Sequence, residues 1–174
     1  VAIITASYGF LALGALLGFL NLILMIIQNK NNRKRIGDSL KELTFINELS
    51  ITTGLFMLSV GTFLGGIWAN ESWGRYWGWD PKETWALASM LIYIFVLHMR
   101  FIPKIKGIFA FNLASLVAYS SIIMTYFGVN FYLSGLHSYA KGDPMPIPSF
   151  VYYSIVIVTI AAVLAKWRQR QLRN

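Results

Sequence analysis

Five of the six tryptophans of this 174-residue chain fall in one run, Trp68–Trp85, which reads WANESWGRYWGWDPKETW. Indole is a broad flat apolar face with a single N–H donor, so a cluster of such rings suits the holding of a flat apolar ligand better than bond-making chemistry. Gly74 and Gly78 are interleaved with the rings and let the backbone come close to such a ligand. Arg75 and Lys82 lie in the same run and bring cations that pair with carboxylates. The competing reading is an aromatic belt at a membrane surface. A belt spreads its rings over many helix ends, whereas Trp68, Trp73, Trp77, Trp79 and Trp85 crowd into one segment.

Inside that run, Asp80-Pro81-Lys82-Glu83 is a helix-start signature, with Asp80 as N-cap, Pro81 at the first helical position and Glu83 completing a capping box. These residues are read as launching a helix and fixing the direction of the tryptophans before it. Two histidines complete the set of candidate ligands. His98 follows Trp85 by roughly 20 Å if the intervening chain is helical, and His137 lies in YLSGLHSYAKGDP. Each alone reads as a packing or surface residue. A haem iron takes axial imidazoles, however, and a haem carrier crossing a membrane needs one towards each face. Met145, in DPMPIP, reads as an apolar contact with the membrane surface. No cysteine is present, so thiolate metal sites and disulfides within this chain are excluded.

The elements that position these residues follow from composition. With 56% hydrophobic and 13% charged residues, the chain carries more apolar surface than one small soluble core can hide. Five windows have the roughly 20-residue length that crosses hydrocarbon: Ala6–Ile27, Ile51–Ala69, Trp85–Phe101, Ile108–Phe127 and Phe150–Ala165. The expected fold class is all-α, a polytopic membrane helical bundle forming a single membrane domain over residues 1–174, with the tryptophan motif at 68–85 in an external loop. The first window lacks a basic leading region and a small-residue cleavage site, so it does not read as a signal peptide.

The net charge of +8 is sorted along the chain. Twelve of the 15 basic residues fall in Asn29–Ser50, after the third span, or in the tail; only Arg75, Lys82 and Lys141 fall in the opposite loops. By the positive-inside rule the N-terminus and the tryptophan run lie outside and the C-terminus lies in the cytoplasm. The basicity is therefore a matter of topology, and no nucleic acid is expected as a partner. The span interiors carry almost no ionisable groups, which argues against an ion-coupled carrier, and no phosphate-cradling glycine-lysine loop occurs.

The run WANESWGRYWGWDPKETWAL, with the later LHMR and GLHSY and the first-span SYGFLALGALLGF, closely resembles the CcsA/ResC branch of the cytochrome c biogenesis proteins, marked by a tryptophan-rich WWD domain. DPKETWAL points to this branch rather than to the related CcmC and CcmF proteins. The resemblance implies haem b as the cofactor, with His137 and His98 as axial ligands to its iron. It also implies that Trp68, Trp73, Gly74, Trp77, Trp79, Asp80 and Trp85 hold the porphyrin; Arg75 or Lys82, the cations of the same run, would pair with its propionates. A further external histidine of the family pattern falls at or just before Val1 and is not among these residues.

The function so implied is delivery of haem across the membrane and its presentation to the CxxCH cysteines of apocytochrome c, with a CcsB/ResB-like membrane partner and the lipid bilayer as surroundings. The membrane expected is a bacterial plasma membrane or a thylakoid membrane. The chain offers no obvious acid or base and would act by positioning, as part of a cytochrome c synthase. Two other readings stand beside it: a non-catalytic subunit that anchors or assembles a redox complex, and a small-molecule permease whose tryptophans form only a belt.

Overall fold

The computed structural model describes residues 1–133 and 146–173. Among them six α-helices follow one another: α1 (Ala2–Ile27), α2 (Arg33–Trp73), α3 (Pro81–His98), α4 (Ile108–Ile123), the short α5 (Val129–Tyr132) and α6 (Ser149–Arg173). A π turn, Met124–Gly128, joins α4 to α5 in one rod, and no strand occurs among the described residues. Five of these rods are long and apolar enough to cross a membrane, as the polytopic all-α reading expects.

One element departs from the expected spans. The basic segment before Ile51 is not a separate link but the first half of α2, which runs unbroken for 41 residues. At 1.5 Å per residue that is about 60 Å, twice the thickness of the hydrocarbon. No proline interrupts residues 33–73, and Leu40 in the basic half packs against Leu22 and Met25 of α1. Tertiary contact thus carries the helix through a region whose charges suggest a loop.

Helices α1 and α2 form an antiparallel hairpin seamed by glycines. A Cβ on Gly14 would stand 2.8 Å from Ile51, one on Gly54 2.8 Å from Leu11, and one on Gly61 2.6 Å from Ile4. Small residues at such a seam let two helices approach closely where lipid provides no hydrophobic drive. Gly18 does the same towards α4, where a Cβ would meet the Asn112 carbonyl at 2.5 Å. Beside this seam three fully buried asparagines tie α1, α2 and α4 together. The Asn112 Oδ1 accepts from the Nδ2 of Asn21 at 2.7 Å and of Asn47 at 3.0 Å, while the Asn112 Nδ2 donates to Thr44 at 2.8 Å. In the other half of the bundle Leu11, Ile51, Leu58, Tyr93, Val96, Ala118 and Ile122 form the apolar core.

The two ends of the bundle differ. Past Gly61, α2 continues beyond its seam with α1 towards Trp73, so the tryptophans stand at the end that also holds the starts of α1 and α3 and the α5 turn. The opposite end holds Lys30 between α1 and α2, Arg33 at the start of α2, Arg100 to Lys106 between α3 and α4, and the basic last turns of α6.

A tryptophan-bearing cap and a distant histidine

Trp68 and Trp73 are not loop residues: they project from the last turns of α2, their rings edge to face with centroids 5.2 Å apart. The expected loop shortens to residues 74–80. Gly74 ends the helix in the left-handed region at φ 71, a conformation that costs glycine least, and its amide closes on the Asn70 carbonyl at 2.8 Å. Four residues on, Gly78 lies under the Arg75 side chain: a Cβ there would come within 2.9 Å of the guanidinium. Arg75 is therefore folded back over the loop while remaining exposed.

The far side of the loop is fastened by α3. Asp80 caps the helix, Pro81 occupies its first position, and the capping box with Glu83 is complete, as the sequence indicates. The Glu83 carboxylate does more than close the box. It accepts the Gly78 amide at 2.7 Å and the Asp80 amide at 3.2 Å, so one side chain holds two points of the loop. Between them Trp79 takes φ 57, a left-handed conformation that costs a non-glycine residue on the order of 1–2 kcal/mol. That twist leaves the Trp79 ring 71% exposed and edge to face with Trp77, with centroids 5.9 Å apart.

Trp77 is half-buried, and its indole N–H is buried without a hydrogen-bond partner. An unmet buried N–H costs about 1–3 kcal/mol, so this donor suits an acceptor brought to it. Trp85 sits a turn further along α3, half-buried, where its carbonyl accepts from Thr125 of the π turn at 3.2 Å. Of the two cations expected to meet carboxylates, Lys82 is engaged: its Nζ donates to Asn130 of α5 at 3.3 Å. Arg75 remains the exposed one.

His98 is the last residue of α3, about 27 Å of helix from Pro81. The structure therefore does not bring it to the tryptophans; it belongs to the other end. Its Nδ1 lies 2.7 Å from the Ile94 carbonyl. A carbonyl only accepts, so in the neutral ring Nδ1 carries the proton and Nε2 keeps its lone pair, the state in which imidazole ligates metal. Phe101 lies 5.9 Å from the imidazole, and Arg100, two positions on from His98, makes a 2.6 Å ion pair with Glu48 of α2. His137 and Met145 lie outside the described residues. Among the described residues no three His, Cys, Asp or Glu side chains gather as a metal site.

Sequence reasoning missed the asparagine knot, the second role of Glu83 and the Asn130 partner of Lys82. Only the first had a visible signal, and a partial one: Asn21 and Asn112 fall in two different apolar windows, where asparagine is costly in lipid unless such residues meet.

Together these features define a polytopic helical membrane protein with a fastened aromatic cap at one end of its bundle and a histidine held on the Ile94 carbonyl at the other. The chain belongs to the cytochrome c assembly protein family, whose model matches residues 1–137. It is similar to Protein NrfI of Wolinella succinogenes, at 53% identity over 84% of this chain and 16% of that protein. It is also similar to the cytochrome c biogenesis protein CcsA of Guillardia theta, at 37% identity over 80% of this chain and 52% of that protein. CcsA of Chlamydomonas reinhardtii matches at 37% identity over 80% of this chain and 39% of its own length. The chain thus spans about half or less of the relatives it matches.

Proposed function

We propose that this chain is the haem-holding part of a c-type cytochrome assembly factor. Haem b is the cargo: it enters at the basic, cytoplasmic end near His98 and is presented at the tryptophan cap on the outer face. There His137 ligates its iron, and the exposed faces of Trp68, Trp73, Trp77 and Trp79 hold the ring. Gly74 gives the backbone its turn, Asp80 keeps the cap in place at the start of α3, and Trp85 adds its ring a turn further on. Arg75 meets a propionate. The cysteine thiols of the apocytochrome c CxxCH add their S–H across the haem vinyl groups, so each thioether forms without a leaving group. This chain contributes position rather than acid or base catalysis. A CcsB/ResB-like membrane subunit is the proposed partner, and the charge sorting supports an outer N-terminus and a cytoplasmic C-terminus.

The observation that carries this reading is the Trp77–Gly78–Trp79 segment, fixed through the Glu83 carboxylate with the Trp79 ring open and the Trp77 donor unmet. A belt of membrane-surface tryptophans requires no such fastening. Titration of haem into the purified chain in detergent, followed by tryptophan fluorescence and Soret absorption together, tests it. Quenching that saturates with the Soret change, and that weakens in Trp79→Ala, is expected. Full quenching in Trp79→Ala, or none in the unaltered chain, returns the tryptophans to a belt.

A further inference from the structure

The end of the bundle away from the tryptophans holds a second constructed feature, formed largely by α6, which lies beyond the family match at residues 1–137. The α1–α2 turn and the last turns of α6 meet there. Arg168 donates from Nε to the Gln28 carbonyl at 2.7 Å, and Arg33 donates to the Leu172 carbonyl at 3.1 Å. Two clefts of about 420 and 480 Å³ open along this junction and share Leu172. Lys30 and Arg168 line the first; Arg33, Lys166 and Arg170 line the second, with Phe109 of α4 as an apolar wall.

Five cations therefore line the junction where segments 139 and 140 positions apart in sequence meet, two in the first cleft and three in the second. Among the described residues the ion pairs are Lys41–Asp38 and Arg100–Glu48, so none of the five has a carboxylate partner there. Helix dipoles do not account for the excess. The C-terminal ends of α1 and α6 supply about half a negative charge each, roughly one against five. The depth of the clefts is marked by Trp167, 56% exposed next to Lys166 and Arg168, which is where an indole sits at a membrane surface. Further up α6, Ile155, Val156, Ile157 and Ile160 are exposed and open to the bilayer.

We infer that this junction binds the headgroup of an anionic phospholipid: the phosphate lies in the second cleft among Arg33, Lys166 and Arg170, and the acyl chains lie along α6. The site rests on neither the haem reading nor the family match. Basic clefts between membrane helices at the headgroup level recognise anionic lipids by this chemistry.

The test uses the full chain purified in a neutral detergent, titrated with phosphatidylglycerol or phosphatidylcholine, with bound lipid counted by native mass spectrometry and the unfolding midpoint followed in parallel. Retained phosphatidylglycerol and a raised midpoint are expected, with no such effect from phosphatidylcholine. Lys166→Gln with Arg170→Gln should weaken phosphatidylglycerol binding roughly thirty-fold, two charges' worth, while Lys166→Arg with Arg170→Lys keeps it. Lys104→Gln with Lys106→Gln removes equal charge from the α3–α4 link and should leave binding intact. Equal weakening by that control pair, or equal binding of the two lipids, overturns the proposal. Displacement of the lipid by millimolar inorganic phosphate also overturns it, because the site would then serve a free anion.

Discussion

The Gly78 amide donates to the Glu83 carboxylate at 2.7 Å, which fastens the tryptophan loop to the first turn of α3. Since the same carboxylate also takes the Asp80 amide, the loop and the helix start form one unit. Glu83→Ala should therefore cost about 1.5–3 kcal/mol, the range for hydrogen bonds to a charged group, and should weaken haem binding as well. Asp80→Ala should cost about 1 kcal/mol for a lost cap, whereas Asp80→Asn, which still caps, should be close to neutral. Thermal unfolding in detergent and haem titration on the same samples check both. Loss of haem binding in a stable Asp80→Asn protein would give the carboxylate a direct role.

The glycine seam gives a second expectation. A Cβ on Gly18 meets a backbone carbonyl, which cannot swing away, whereas nothing lies within 4 Å of one on Gly9. Gly18→Ala should destabilise the bundle by about 1–3 kcal/mol, and Gly9→Ala should not. Unfolding midpoints of the two variants, compared in one detergent, decide it.

Asn112 carries the buried knot. Asn112→Leu removes the acceptor shared by Asn21 and Asn47 and leaves the Asn21 amide without its buried partner on α4. Hydrogen bonds between membrane helices are worth about 0.6 kcal/mol each on average, so a loss of roughly 1–2 kcal/mol is expected. Denaturation of the variant beside the unaltered chain measures it, and an unchanged midpoint would show that the knot does not hold α4 to the α1–α2 hairpin.

The proposed topology puts Ser72 outside and Arg170 in the cytoplasm. An impermeant thiol reagent on intact cells should label Ser72→Cys and spare Arg170→Cys until the membrane is opened. The reverse pattern would invert the orientation.

Much of the frame was legible in the sequence because its signals are local. Asp80-Pro81 and Glu83 specify a helix start within four positions, and apolar length alone marks the five crossing helices. The extent of α2 was not legible: Arg33–Ser50 is charged, and the packing of Leu40 on Leu22 and Met25 that extends the helix is tertiary. At its other end the same helix runs on through Trp68 and Trp73, which therefore belong to it rather than to the loop. The partner of Lys82 is Asn130, 48 positions away, and no spacing rule reaches that far.

If His137 and the tryptophan cap hold haem as proposed, the colour of the protein shows it. Purified from the membranes of haem-replete cells, the chain should carry a Soret band. That band should fall sharply in His137→Gly and return in part when imidazole is added, because the tryptophan cap would remain to hold the ring. A colourless unaltered protein, or a band of full intensity in His137→Gly combined with His98→Ala, would show that these residues do not hold haem.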